Sequence, residues 1–198
     1  MELKGLRFAM HNLGCKVNSY EAEAMSEAIL KEGATPVPFH EEADIYLINT
    51  CSVTNIADRK SRQMIHQAKE RNPDALVIAT GCYVEGKKEE LKKDKGIDIL
   101  IGNSGKGKIV ELIRAYRDAM LENDGRIEDY LPPVKEEGEY ENLFLSKPLD
   151  RSRAFVKIQD GCNQFCAYCI IPYVRGRIRS RKIEDCLQEI EPLGQEGI

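Results

Sequence analysis

Six of the seven cysteines of this 198-residue chain stand where thiols could hold metal. Gly161 to Cys169 reads GCNQFCAYC and places Cys162, Cys166 and Cys169 on one short stretch with the aromatic Tyr168 just before the last thiol. A structural zinc site wants four ligands, and no further His or Cys lies close by in sequence to complete a tetrahedron. Ferredoxin-type clusters also use four thiolates, in a different spacing. Three thiolates on a compact loop suit a 4Fe-4S cluster with one iron left open for another ligand. A zinc or iron-sulfur module without catalysis remains the alternative from another class.

The other three cysteines look isolated only in the linear sequence. Cys15 ends HNLGC, Cys51 ends YLINTC and Cys82 ends VIATGC, each just past the carboxyl end of an expected strand. The spacing between them matches a βαβ unit, which returns the chain to the same edge of a sheet. Ligands of open α/β sheets bind at that edge. Three buried packing thiols are the competing explanation. Cys186 shares a helical face with Ile183, Leu187 and Ile190 and is expected to pack in a core.

The elements that would position these thiols are legible. LRFAM, DIYLINT, ALVIAT and IDILI read as strands, and SYEAEAMSEAILKEG, ADRKSRQMIHQAKERN and KIVELIRAYRDAM as helices. The expectation is an α/β domain over residues 1–122 with a parallel sheet covered by helices on both faces. An acidic, proline-containing linker follows over 123–151. Residues 152–198 begin a second domain, with RAFVKI as its first strand and KIEDCLQEIEPL as a helix, and the chain is expected to stop inside that domain.

Composition narrows the class. A hydrophobic share of 42% suits a globular chain. No apolar run approaches a membrane span and MELKGLRF is not a signal peptide, so no membrane is expected and the location is cytoplasmic. A reducing compartment and an odd cysteine count make a disulfide framework the weak reading. The net charge of -4 argues against a surface that attracts nucleic acid everywhere, while RGRIRSRK concentrates arginines locally. GNSGKGKI, Gly102 to Ile109, nearly spells a phosphate loop, but its last position should be Ser or Thr, so a turn and helix start is expected. His11, His40 and His66 show no metal spacing.

GCNQFCAYC resembles the cluster loop of the radical S-adenosylmethionine enzymes. With LGCKVNSYEAE, INTCSVTNIADRKSR and ATGCY, the whole chain resembles the amino-terminal part of a methylthiotransferase. That resemblance implies the start of a radical SAM (β/α) partial barrel after the first domain. It implies two 4Fe-4S clusters, one on Cys15, Cys51 and Cys82, the other on Cys162, Cys166 and Cys169, where S-adenosyl-L-methionine would bind. Asn18 and Asn49 match family motif positions and would shape the first cluster's surroundings, with helix capping and strand-end turn chemistry as competing roles.

The wording of LGCKVNSYE, KIQDGCNQFCAYCIIPYVRG and RGRIRSR is most similar to the branch that acts on tRNA N6-threonylcarbamoyladenosine. The rival branches act on tRNA N6-isopentenyladenosine or on an aspartate of a ribosomal protein. The resemblance implies tRNA, a flavodoxin-type electron donor and a sulfur source as partners. Arg177 and Arg179 become candidate RNA phosphate contacts. Arg175, Gly176, Ser180 and Arg181 match positions shared by all branches and say little about RNA. These 198 residues alone are expected to be inactive.

Overall fold

The computed structural model of the chain describes residues 3–52, 54–121, 140–146 and 154–195. The first part is a parallel sheet of five strands: β1 (Arg7–Asn12), β2 (Thr35–Pro36), β3 (Ile45–Thr50), β4 (Leu76–Gly81) and β5 (Ile99–Ile101), in the order β2-β1-β3-β4-β5. Four helices connect or follow them: α1 (Lys16–Lys31), α2 (Asn55–Arg71), α3 (Cys82–Leu91) and α4 (Ile109–Leu121). In this part the expected strands and helices are all present, and the two-residue β2 and the helix α3 are additions that the sequence reading did not include.

Both faces of the sheet are covered, for a reason visible residue by residue along β3. Side chains alternate between faces, so Ile45 and Leu47 join Met25 and Ile29 of α1 and Ile109 and Ile113 of α4. Tyr46 and Ile48 point the other way, to Ile65 and Ala68 of α2 and Tyr83 and Val84 of α3. Every residue of β3 and of β4 is buried. A strand covered on both faces reads as a continuous apolar run, which is what YLI and LVIA are.

The near-phosphate loop forms a turn of 3-10 helix at Lys106–Lys108 leading into α4. Its backbone still binds an anion, but an internal one. The amides of Gly105 and Gly107 donate to the carboxylate of Glu141 at 2.8 to 3.0 Å. Lys106 is fully buried and pairs with Glu21.

Of the expected linker, 123–139 and 147–151 lie outside the described residues. Residues 140–146 are packed: Leu143 and Leu145 are buried with Tyr20 and Ala24 of α1. Ser146 and Glu27 are hydrogen-bonded as well.

Residues 154–195 carry a short antiparallel pair, β6 (Gln159–Asp160) with β7 (Arg179–Ser180), and two helices, α5 (Ile171–Arg175) and α6 (Ile183–Gln195). The strand expected at RAFVKI is not formed over 154–158. A strand needs a neighbour to satisfy its backbone, and among the described residues the first pairing comes only at Gln159–Asp160.

The expected packing face of α6 is also corrected. Ile183, Leu187 and Ile190 are exposed and Cys186 is half-buried, while Glu189 and Leu193 are buried. Charge decides that orientation: Glu189 pairs with buried Arg181 and accepts from the Tyr20 hydroxyl.

Candidate functional site

β1, β3 and β4 lie side by side in register, with Asn12 opposite Asn49 and Thr50 opposite Gly81. Cys15 caps the start of α1 in extended backbone, Cys51 follows β3 directly, and Cys82 opens α3 directly after β4. The three thiols expected to meet at one sheet edge therefore stand at the carboxyl ends of three adjacent strands. Cys51 and Cys82 are buried and Cys15 is exposed.

The surroundings suit a group held by thiolates. Gly14 has no side chain where a Cβ would lie 3.0 Å from the Cys51 Sγ, so the space beside that sulfur stays open. The Asn103 Nδ2 stands 3.7 Å from the Cys82 Sγ and can donate to it. The Cys15 thiol faces the Asn18 Oδ1 at 3.8 Å. Amide partners of this kind orient ligands and tune what they hold. Among the described residues no three His, Cys, Asp or Glu side chains gather at one point as a single bound ion would require.

Asn18 and Asn49 serve neither of the simple roles considered for them. The Asn18 Nδ2 donates to the carbonyls of Leu13 and Thr50 at 2.8 and 3.0 Å, joining the ends of β1 and β3. Cys15, not Asn18, occupies the cap position of α1. The Asn49 Nδ2 donates to the Asn18 carbonyl at 2.8 Å, and its Oδ1 accepts from Lys106. Both side chains thus hold the floor beneath Cys15 and Cys51 in place.

The second cysteine loop is anchored at both ends. The Cys162 amide donates to the Gly176 carbonyl at 3.0 Å, and the Cys169 amide closes a turn onto the Cys166 carbonyl at 2.9 Å. Gly161 has φ +77°, and a Cβ there would fall 2.1 Å from the Arg177 carbonyl oxygen, so only glycine fits this crossing. Cys166 is exposed and Cys162 and Cys169 are half-buried. Phe165, Tyr168 and Tyr173 are exposed around them.

α5 follows this loop and rests against the first site. The Val174 carbonyl accepts from the Asn103 Nδ2 at 2.7 Å, the same amide group that faces Cys82. Beside it lies a buried ionic network that the sequence reading missed. Glu21 of α1, fully buried, accepts from Lys106, Lys157 and Arg175. Asp160 accepts from Lys157 at 2.8 Å and Arg175 at 3.0 Å.

Burial alone would raise both carboxyl pKa values. For Glu21, Lys106, Arg175 and Lys157 outweigh that effect and hold it well below the ordinary range; for Asp160, Arg175 and Lys157 pull it down. Burial works against the charge on Arg175, but Glu21, Cys82 and Asp160 secure it.

The two arginines expected to touch RNA separate. Arg177 is exposed, with its guanidinium 4.4 Å from the centre of the Phe165 ring. Arg179 is buried. It donates to the carbonyls of Arg177 and Arg175 at 3.0 and 2.9 Å and lies 3.7 Å from Asp160, contacts internal to the chain. No helix among the described residues is long and apolar enough to cross a membrane.

Residues 7–102, which span β1 to β5, match the family described as uncharacterized protein family UPF0004. The threonylcarbamoyladenosine tRNA methylthiotransferase MtaB of Aquifex aeolicus is 36% identical over 97% of this chain and 46% of its own length. The protein of that name from Bacillus subtilis is 40% identical over 96% of the chain and 41% of its own length. A tRNA-2-methylthio-N(6)-dimethylallyladenosine synthase of Thermotoga petrophila is 34% identical over 97% of the chain and 42% of its own length.

A solved structure, the radical S-adenosylmethionine methyltransferase TsrM of Kitasatospora setae, shares the fold. Its TM-score is 0.56 at 16% identity, over 98% of this chain and 46% of that one. The chain spans less than half the length of the curated relatives it matches. Over nearly its whole length the chain is thus similar, at 34% to 40% identity, to these three relatives.

Proposed function

We propose that the protein is a tRNA methylthiotransferase that adds a 2-methylthio group to N6-threonylcarbamoyladenosine beside the anticodon. The observation that carries this reading is the pairing of two three-cysteine sites. Cys15, Cys51 and Cys82 end three adjacent strands, and the loop of Cys162, Cys166 and Cys169 leads into a helix that Asn103 ties to Cys82.

Each set of three cysteines would hold one 4Fe-4S cluster, with S-adenosyl-L-methionine at the second. When bound, that second cluster supplies the electron that cleaves S-adenosylmethionine into a radical able to take hydrogen from an aromatic carbon, chemistry that no side chain provides unaided. The chain's own residues position and shield. Gly161 allows the loop to cross against Arg177, Asn103 faces Cys82, and Asn18 and Asn49 hold the strand ends. Exposed Arg177 and Phe165 stand beside the second site, where a phosphate and an unstacked base of an RNA loop could be met. A flavodoxin-type reductant and a sulfur source complete the set of partners.

Iron and sulfide per chain after anaerobic reconstitution test the two sites. About eight irons in the protein, falling to about four in a Cys15→Ala, Cys51→Ala, Cys82→Ala variant, support it. Zinc, or no metal at the first site, would return the protein to the non-catalytic alternative. The Thermotoga relative keeps dimethylallyladenosine as a second substrate reading. Nucleoside analysis of tRNA from cells that gain the full-length gene separates the two: without 2-methylthio-threonylcarbamoyladenosine, the first substrate is wrong.

A further inference from the structure

Arg175 is the side chain in which the two cysteine sites meet. One guanidinium nitrogen donates to Glu21 at 2.9 Å and to Asp160 at 3.0 Å; the other donates to the Asn18 Oδ1 at 2.7 Å and to Glu21 at 3.2 Å. Asn18 is the residue that faces the Cys15 thiol, and Asp160 also accepts from the amide of Gly161, next to Cys162. Arg175 itself ends α5, the helix that follows Cys169. A single planar, permanently charged fork thus grips a group beside the first site and a group beside the second.

Among the described residues, Lys106, Lys157 and Arg175 are buried around Glu21 and Asp160, and Glu85 is buried beside them on the Asn103 amide. A cation favours negative charge on a neighbour. Lys106 bonds Asn103, which faces Cys82, and Arg175 bonds Asn18, which faces Cys15. Three thiolates at the strand ends would supply that negative charge.

We propose, resting on the reading that Cys15, Cys51 and Cys82 hold an iron-sulfur cluster, that Arg175 is a positioning residue. It locks the two cysteine sites together, and its positive charge raises the reduction potential of the first site. A nearby cation favours adding an electron, so removing Arg175 lowers that potential and removing a nearby carboxylate raises it.

The test uses the intact protein in a Cys162→Ala, Cys166→Ala, Cys169→Ala background, so that only the first site is read by redox titration with electron paramagnetic resonance. Arg175→Gln is expected to lower the midpoint potential and Glu21→Gln to raise it, with Arg175→Lys near the parent. Shifts of the same sign, or none, at unchanged iron content would overturn the electrostatic role.

A second measurement needs no metal. In the metal-free protein with all cysteines present, Arg175→Gln should speed hydrogen exchange at the Cys162 and Arg181 amides by about tenfold or more, while β3 and β4 keep their rates. Unchanged exchange at Cys162 would overturn the locking role. If the parent holds no iron at the first site, the proposed function and the electrostatic role fall together, and the exchange experiment still decides the locking role.

Discussion

Asn103 joins Cys82 to Val174: its side-chain nitrogen lies 3.7 Å from the Cys82 sulfur and donates at 2.7 Å to the Val174 carbonyl. The Asn103 Oδ1 accepts from Lys106 at 3.2 Å, and its backbone amide donates to Glu85. One buried amide thus spans a strand-end thiol, the helix after the second cysteine loop and the ionic network.

Asn103→Leu keeps the branched shape in a larger side chain and removes the side-chain bonds, while the backbone bond to Glu85 can stay. The Val174 carbonyl and Lys106 would lose a buried partner, at about 1–3 kcal/mol for each group left unsatisfied. Urea unfolding should show that loss, and iron at the first site should fall in parallel. An Asn103→Leu protein as stable as the parent would contradict the assigned bonds.

Removing Glu21 leaves buried Lys106 without its carboxylate, while Lys157 and Arg175 keep only Asp160. Glu21→Ala is expected to cost about 3–5 kcal/mol, because breaking a buried ion pair leaves uncompensated charge. Glu21→Gln should cost less by keeping hydrogen-bond acceptance toward Arg175. Denaturant midpoints of the two variants measure the difference.

The same carboxyls fix the sign of an acid transition. Glu21 and Asp160 have folded pKa values held below their ordinary values, chiefly by Lys106, Arg175 and Lys157 overcoming burial. The stability they contribute is present in full above their unfolded pKa values, near pH 4, and is lost as pH falls through the folded values. Hydrogen exchange of 157–181 should therefore be flat from about pH 8 to 5, after correction for intrinsic rates, and protection should fall below about pH 4. Loss of protection near pH 6 would point to a histidine instead.

Gly161→Ala places a methyl group where the Arg177 carbonyl already lies. The backbone must move, and the bond from the Cys162 amide to Gly176 goes with it. Iron at the second site should drop while the first site keeps its iron. Equal retention at both would mean that the crossing is dispensable.

The exposed row on α6 makes a quieter prediction. Leu187 is 53% exposed. Leu187→Lys in this 198-residue chain should change stability by less than about 0.5 kcal/mol, the range of ordinary surface changes. A loss of several kcal/mol would show that the row is covered.

The sheet was legible because β3 and β4 are buried on both faces and so read as apolar runs. The strand-end cysteines were legible because βαβ spacing fixes where the chain returns. What escaped was charge. Lys106, Lys157 and Arg175 look like solvated loop residues, since sequence patterns treat charge as surface, and only the converging elements show that they share Glu21. Arg179 escaped similarly: its basic stretch reads as a patch until β7 pairs with β6 and turns that side chain toward Asp160. The face of α6 was misjudged because one buried pair, Arg181 with Glu189, outranked three apolar residues. Leu143 and Leu145 were hidden within an acidic stretch whose average composition argues for exposure.

The turn at Gly105 to Lys108 makes a last point about what a glycine-and-lysine pattern encodes. Its amides hold the Glu141 carboxylate and its lysine holds Glu21. The chain carries, as built-in tenants, the anions that such a turn elsewhere recruits from a nucleotide. An intramolecular occupant acts at an effective concentration in the millimolar range, which a free competitor must exceed. Here the turn works as a clasp: closing it on Glu141 fastens a distant stretch of chain onto the rim of the sheet that the cysteines share.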